Sequence, residues 1–131
     1  MVLVGVKVNS DVVLFSPSGV GFGGVMRDVV GDVVASTYLK VEGSFEVDVA
    51  EALAMRHASN ISIEAGFRNV CLETDSLKLH NHLVKGLAPC HAFWKIVNDI
   101  LRLTFSCQSC SFSFVRRTGN RVAHCLAKLC M

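Results

Sequence analysis

The chain has 131 residues, 51% of them apolar and 18% charged, with a mean hydropathy of +0.45 and a formal net charge of +2. That length predicts a single domain over residues 1–131 with a substantial core. With only 10 Gly and 2 Pro, the composition excludes a disordered or collagen-like chain, and no apolar run approaches the ~18 residues of a membrane helix.

Residues 2–15 carry a β-branched run that alternates, with Val4, Val6, Val8, Val12 and Leu14 on one face and Lys7, Asn9 and Asp11 on the other, which predicts a strand. Ser16-Pro17-Ser18-Gly19 is turn chemistry. Val20 to Met26 reads as a second strand, whose Gly21, Gly23 and Gly24 imply close packing or a bulge. Asp28-Val29-Val30-Gly31 closes a hairpin into a third strand, Asp32 to Leu39. The period then changes to helical from Val47 to Ala65, with Ala50, Leu53, Ala54, Ala58, Ile61 and Ala65 recurring before Gly66. Asn69 to Thr74 is a buried strand around Val70-Cys71-Leu72, and Ser76 caps a short helix to Lys85 that Gly86 to Pro89 ends. Ala92 to Leu103 is a third helix with Phe93, Ile96, Val97, Ile100 and Leu101 inward. Ser109 to Val115 alternates as a strand, and Asn120 to Leu129 is a last helix with Val122, Leu126 and Leu129 inward. The order βββαβααβα predicts an α/β fold: an antiparallel meander extended by parallel strands into a mixed sheet flanked by helices.

Met1 to Val6 is apolar, but Lys7 and Asn9 follow at once, so neither a basic n-region nor an adequate h-region is present. A nuclear or cytoplasmic, non-secreted chain is predicted. The six cysteines, at 71, 90, 107, 110, 125 and 130, suit that setting as reduced thiols. The weak positive charge permits nucleic-acid binding without arguing for it.

Three carboxylates stand out. Asp11 sits inside an apolar strand, where an unpaired buried charge is costly. Glu51 lies one turn into the long helix beside its apolar stripe, and Asp75 ends a buried strand, where open α/β sheets place ligands. Taken singly, each has a bland reading as a solvated, flanking or capping residue. If the first and fourth strands are neighbours under the long helix, the three converge, and acids at one point repel unless a cation sits among them. Mg²⁺ is the natural ion, with Mn²⁺ as an alternative, because hard cations prefer carboxylate oxygens. Two such ions about 4 Å apart promote phosphodiester cleavage, so the trio points to metal-dependent phosphoryl transfer.

At this point the sequence resembles a known family, the plant reverse-transcriptase-like RNase H domains of the ribonuclease H superfamily. The matching segments are Lys7-Val8-Asn9-Ser10-Asp11, Gly23-Gly24-Val25-Met26-Arg27-Asp28 with Gly31, Ala50-Glu51-Ala52-Leu53-Ala54, Gly66-Phe67-Arg68-Asn69-Val70, Glu73-Thr74-Asp75-Ser76, and Asn120 through Leu129. The resemblance implies the RNase H-like fold, with a five-stranded sheet ordered 3-2-1-4-5 and its second strand antiparallel. It also implies hydrolysis of the RNA strand of an RNA–DNA hybrid, with Asp11, Glu51 and Asp75 on the family's metal-binding positions. The fourth acidic position, in an Asn-x-x-Ala-Asp pattern, is His124 here; neutral imidazole can still ligate or hydrogen-bond at such a site but brings no negative charge. The family's Asp-Gly-Ala is replaced by Asp11-Val12-Val13, and the loop before the last helix reads Arg116-Arg117-Thr118-Gly119 where many members carry a His.

Hybrid duplexes are distinguished by their 2′-hydroxyls and groove shape. Candidate substrate contacts are Arg116, Arg117 and Arg121, with Lys128 nearby, together with Asn9, Ser76 and Asn120 from the matching motifs. Glu73 shares a strand face with Asp75 as a candidate accessory acid. The competing reading, which His124 and Val12 favour, is a catalytically weak or inactive RNase H-like module, such as a retroelement-derived one, that binds nucleic acid or protein. A zinc site built from Cys107, Cys110, His124 and Cys125 is a third reading, though no second CxxC or spaced His pair completes it. The chain is predicted to act as a monomer, with no membrane partner.

Overall fold

The computed structural model describes residues 5–15, 18–85 and 92–130. Strands β1 (Gly5–Phe15), β2 (Gly19–Arg27) and β3 (Val33–Glu42) form the antiparallel meander, followed by helix α1 (Val47–Glu64) and strand β4 (Asn69–Thr74). Helices α2 (Leu77–Lys85) and α3 (Ala92–Thr104), strand β5 (Ser109–Phe114), a short 3₁₀ turn (Arg117–Asn120) and helix α4 (Arg121–Lys128) complete the order. The sheet runs β3-β2-β1-β4-β5, with β2 antiparallel to both its neighbours and β4 parallel to β1 and β5. This is the mixed five-stranded arrangement that the sequence implied. The predicted turn at Ser16-Pro17, the breaker from Gly86 to Pro89 and the start of the first strand lie outside the described residues.

Helices cover both faces of the sheet. On one face, Val6 and Val8 of β1, Val70 and Leu72 of β4 and Met26 of β2 pack with Met55 of α1, Leu79 and Leu83 of α2, and Phe93, Val97 and Ile100 of α3. A smaller cluster joins Val20 and Phe22 to Ala50 and Ala54. Because α1 is wedged between the sheet and α3, its buried arc is wider than the predicted stripe and takes in Ser59 and Ser62. The helix ends as a Schellman motif: Gly66, at φ +97°, donates to the Ile63 carbonyl and Phe67 to that of Ser62. The Ser76 hydroxyl oxygen caps α2 by accepting from the Leu79 N–H at 3.2 Å, as its position suggested. Asp28 stiffens the β2–β3 turn by accepting from the N–H groups of Val30 and Asp32.

Helix α4 crosses the opposite face and corrects one expectation. Its inward residues are Ala123 and Ala127, while Val122 and Leu129 are 38% and 64% exposed. The cause lies in β2, where a Cβ on Gly23 would overlap the Ala123 carbonyl and one on Gly21 would meet the Ala127 carbonyl and the Cys130 side chain. The glycines let the helix backbone lie directly on the strand, so only small side chains fit between. That close approach also covers the polar face of β1: Asn9 and Asp11 are only 2% and 5% exposed. Among the described residues, no helix is long and apolar enough to cross a membrane.

Candidate metal and nucleic-acid site

The pairing of β1 with β4 ends at Asn9 and Glu73, so β1 runs on past the end of its parallel neighbour. Asp11 lies in that overhang, and Asp75 is the first residue after β4. Helix α1 packs across β1 and β2, with Glu51 in its second turn directed toward the same point. Each of the three offers a carboxylate oxygen, and these oxygens all lie within 4.8 Å of one another. They share a cavity of about 430 Å³ with Ser76, Arg117 and His124, walled by Val12, Val13, Leu14 and Val47.

Charge crowding is severe. Burial, and after it the charges of Asp11 and Asp75, push the Glu51 carboxyl up to about 9 from its usual 4.5, against the opposing pull of Arg117. The Asp75 carboxyl is raised by the same two causes, burial first and Asp11 second, while Arg117 and a hydrogen bond from Asn120 pull it back. Glu51 Oε2 is buried without a hydrogen-bond partner, an arrangement costly unless a cation or proton takes that oxygen. The donor set consists of carboxylate oxygens, which suits a hard divalent ion. Geometry, crowding and the orphaned oxygen thus agree on a cation-shaped need between these residues.

Asp11 is held from both sides. One oxygen accepts the Val12 N–H at 2.9 Å, and the other is 2.8 Å from His124 Nδ1. His124 side-chain exposure is 48% against 8% for Asp11, so the imidazole stands at the mouth and the carboxylate behind it. Among the other predicted contacts, Ser76 and Arg117 line the cavity, whereas Arg116 and Arg121 are exposed on the surface outside its lining. Asn120 and Asn9 are buried. The Asn120 amide donates to the Ser10 carbonyl at 2.7 Å, tying the 3₁₀ turn to β1, and the Asn9 amide donates to Glu73 at 3.0 Å. Both therefore brace the site from behind rather than reaching outward from it.

Glu73 does not join the acidic trio, since its carboxylate turns to Asn9 on the α4 side of the sheet. The zinc reading also fails to assemble among the described residues. Cys107 and Cys110 pack against the α1–α3 core, whereas Cys125 is exposed on α4 across the sheet. The sequence reading missed the cavity walls. Leu14, expected inward, is 45% exposed, and Val47 is 57% exposed. Alternation assigns Leu14 to the core face, but β1 outruns the helix that would cover it, and nothing local in the sequence signals that.

The reverse transcriptase-like family matches the chain over residues 9–130. Among solved structures, RNase H1 from Halobacterium salinarum NRC-1 superposes with a TM-score of 0.88 at 20% identity, covering 96% of each chain. The N-terminal RNase H domain of rv2228c from Mycobacterium tuberculosis gives 0.87 at 19% identity over 98% of this chain and 94% of its own. LC11-RNase H1, solved in complex with an RNA/DNA hybrid, gives 0.84 at 15% identity over 95% and 94%. No curated protein matches the chain. The fold is that of these RNase H structures, and the chain belongs to the reverse transcriptase-like family.

Proposed function

We propose that the chain is a metal-dependent endonuclease that hydrolyses the RNA strand of RNA–DNA hybrids, working as one monomeric domain. The observation that carries this reading is the meeting of Asp11, Glu51 and Asp75 around a buried carboxylate oxygen that has no partner. Those three residues would hold Mg²⁺, or Mn²⁺ in its place. When bound, such an ion neutralises the charge that builds on a phosphodiester and makes water a better nucleophile.

The chain's own groups supply the rest. Asp11 fixes the His124 ring through Nδ1 and leaves Nε2 as the nitrogen able to pass a proton at the cavity mouth. Arg117, already felt electrostatically by Glu51 and Asp75, is the cation placed to meet a substrate phosphate. The Ser76 oxygen is engaged by the Leu79 N–H, which leaves its hydroxyl hydrogen for a phosphate oxygen. Arg116 and Arg121 extend the positive surface beyond the cavity. Asn9 and Asn120 position β1, β4 and the 3₁₀ turn behind the carboxylates. The motif set supports membership of the plant branch, and five unpaired thiols among the described residues suit a nuclear or cytoplasmic setting.

A second reading, a weak or inactive hybrid-binding module, is favoured by one contact. His124 occupies an Asp11 oxygen that a metal would use, and it adds no negative charge in the position where relatives place an acid. A cleavage assay on an RNA–DNA hybrid in Mg²⁺ and in Mn²⁺ separates the two. Cleavage abolished by Asp75→Asn supports the nuclease. No cleavage in either ion, or cleavage unchanged by Asp75→Asn, overturns it.

A further inference from the structure

Helix α4 covers only part of its face of the sheet. Away from the acidic site that face opens into a cavity of about 630 Å³, bounded by the β2–β3 turn on one side and by Val115 and Gly119 on the other. Its size falls in the range of small-molecule sites. Strand register places Arg27, Lys7 and Cys71 in one row across β2, β1 and β4, and Asn9 and Glu73 in the next row. All five residues line the cavity.

The polar groups are arranged unequally. Among the described residues, neither Lys7 nor Arg27 forms an ion pair, so two free cations sit side by side. Asp28, also on the rim, already holds the turn through its own carboxylate. Two residues along the strand, a separation of about 7 Å, Glu73 is a carboxylate only 9% exposed. The Asn9 amide donates to one of its oxygens at 3.0 Å and so fixes its orientation. The cavity also touches Cys71 and Val115, which give a flat body apolar contact, while Val6 and Val70 turn their side chains into the α1-side core and present only backbone here. The complementary ligand carries an anionic group at one end and N–H donors at the other, with a planar ring between them. A carboxylate accepts two adjacent N–H bonds from the Watson–Crick edge of guanine, whereas adenine and cytosine present an acceptor beside their amino group.

We propose that this cavity binds a guanine mononucleotide, with its phosphate on Lys7 and Arg27 and its base edge on Glu73. The nucleotide is either free or the phosphorylated end of a strand. The site is separate from the acidic cluster, so it stands or falls independently of the nuclease reading.

Calorimetric titration of the whole chain in EDTA, which keeps metal-mediated phosphate binding out of the measurement, tests the proposal. GMP binds saturably, AMP binds roughly tenfold or more weakly, and Glu73→Gln lowers GMP affinity by a similar factor. Lys7→Ala, at an exposed position that leaves the core intact, lowers GMP affinity toward that of guanosine. A 5′-phosphorylated oligonucleotide beginning with guanine that binds at least as well as GMP identifies the strand end as the ligand, and weaker binding identifies the free nucleotide. Equal affinity for GMP and AMP, GMP binding unchanged in Lys7→Ala, or no saturation at about 1 mM GMP overturns the proposal.

Discussion

The acidic cluster destabilises the metal-free fold, and Glu51→Gln measures by how much. Folding moves the Glu51 pKa from 4.5 to about 9, so between those values the native state binds a proton that the unfolded chain has released. Stability therefore falls as pH rises through that window. At pH 7 the gap is about 2.5 pH units above the unfolded value, which corresponds to roughly 3 kcal/mol. Glutamine has nearly the same shape, keeps a donor toward Asp11 and does not titrate, so the variant escapes this loss. In EDTA at pH 8, where the gap widens to about 3.5 pH units and roughly 5 kcal/mol, thermal unfolding of Glu51→Gln is expected about 15 °C above that of the native chain, and the two curves converge near pH 4.5. A residual slope remains in the variant because the Asp75 pKa is shifted in the same direction. Adding Mg²⁺ reverses the ranking, since the ion stabilises the native chain by mass action and finds one carboxylate fewer in the variant. If Glu51→Gln melts below the native chain at pH 8 and both lose stability in parallel with pH, Glu51 is ionised and solvated without metal, and the crowding argument is wrong.

Three further outcomes follow from the same geometry. His124→Asp places a fourth carboxylate beside Asp11 and should tighten Mg²⁺ binding while lowering metal-free stability; calorimetry showing unchanged or weaker Mg²⁺ affinity would count against a cation between these groups. Gly23→Ala drives a methyl into the Ala123 carbonyl, which cannot move without lifting α4, and should cost about 3 kcal/mol or more in urea unfolding; a loss below about 1 kcal/mol would show that the helix is not seated on the strand. Arg117→Ala should weaken hybrid binding and reduce the slope of log affinity against log salt by about one; an unchanged slope would remove Arg117 from the phosphate contacts.

The parts of the molecule visible in sequence are those governed by local period and by chain order. Alternation found β1 and β5, the helical period found α1 and α3, and Gly66 marked the end of α1 because only a positive φ closes that Schellman turn. Convergence of Asp11, Glu51 and Asp75 was legible once β1 and β4 were taken as neighbours, since both acids then lie at one end of adjacent strands. What periodicity could not show was which face a helix uses when its partner strand contains glycine. In α4, the stripe Val122, Leu126 and Leu129 looked inward by size, yet the strand selects Ala123 and Ala127 because contact at backbone distance outweighs the burial of larger side chains. What covers Asn9 and Asp11 was not legible for the same reason, because the cover comes from a helix more than 100 residues away in sequence.

That close contact also couples the fold to the chemistry. Seating α4 on Gly21 and Gly23 sets the height of His124 above the sheet, and with it the 2.8 Å contact to Asp11. Asn120, at the start of the same helix, is pinned to the Ser10 carbonyl, one residue before Asp11, and also helps hold down the Asp75 pKa. One glycine-lined contact thus sets the reach of the residue at the mouth and the orientation of two residues behind it. A substitution at Gly23 should therefore change metal affinity as well as stability, whereas a cavity made in the α1–α3 core, for example Ile100→Ala, should lower stability by about 2–5 kcal/mol and leave the affinity of the remaining folded protein unchanged.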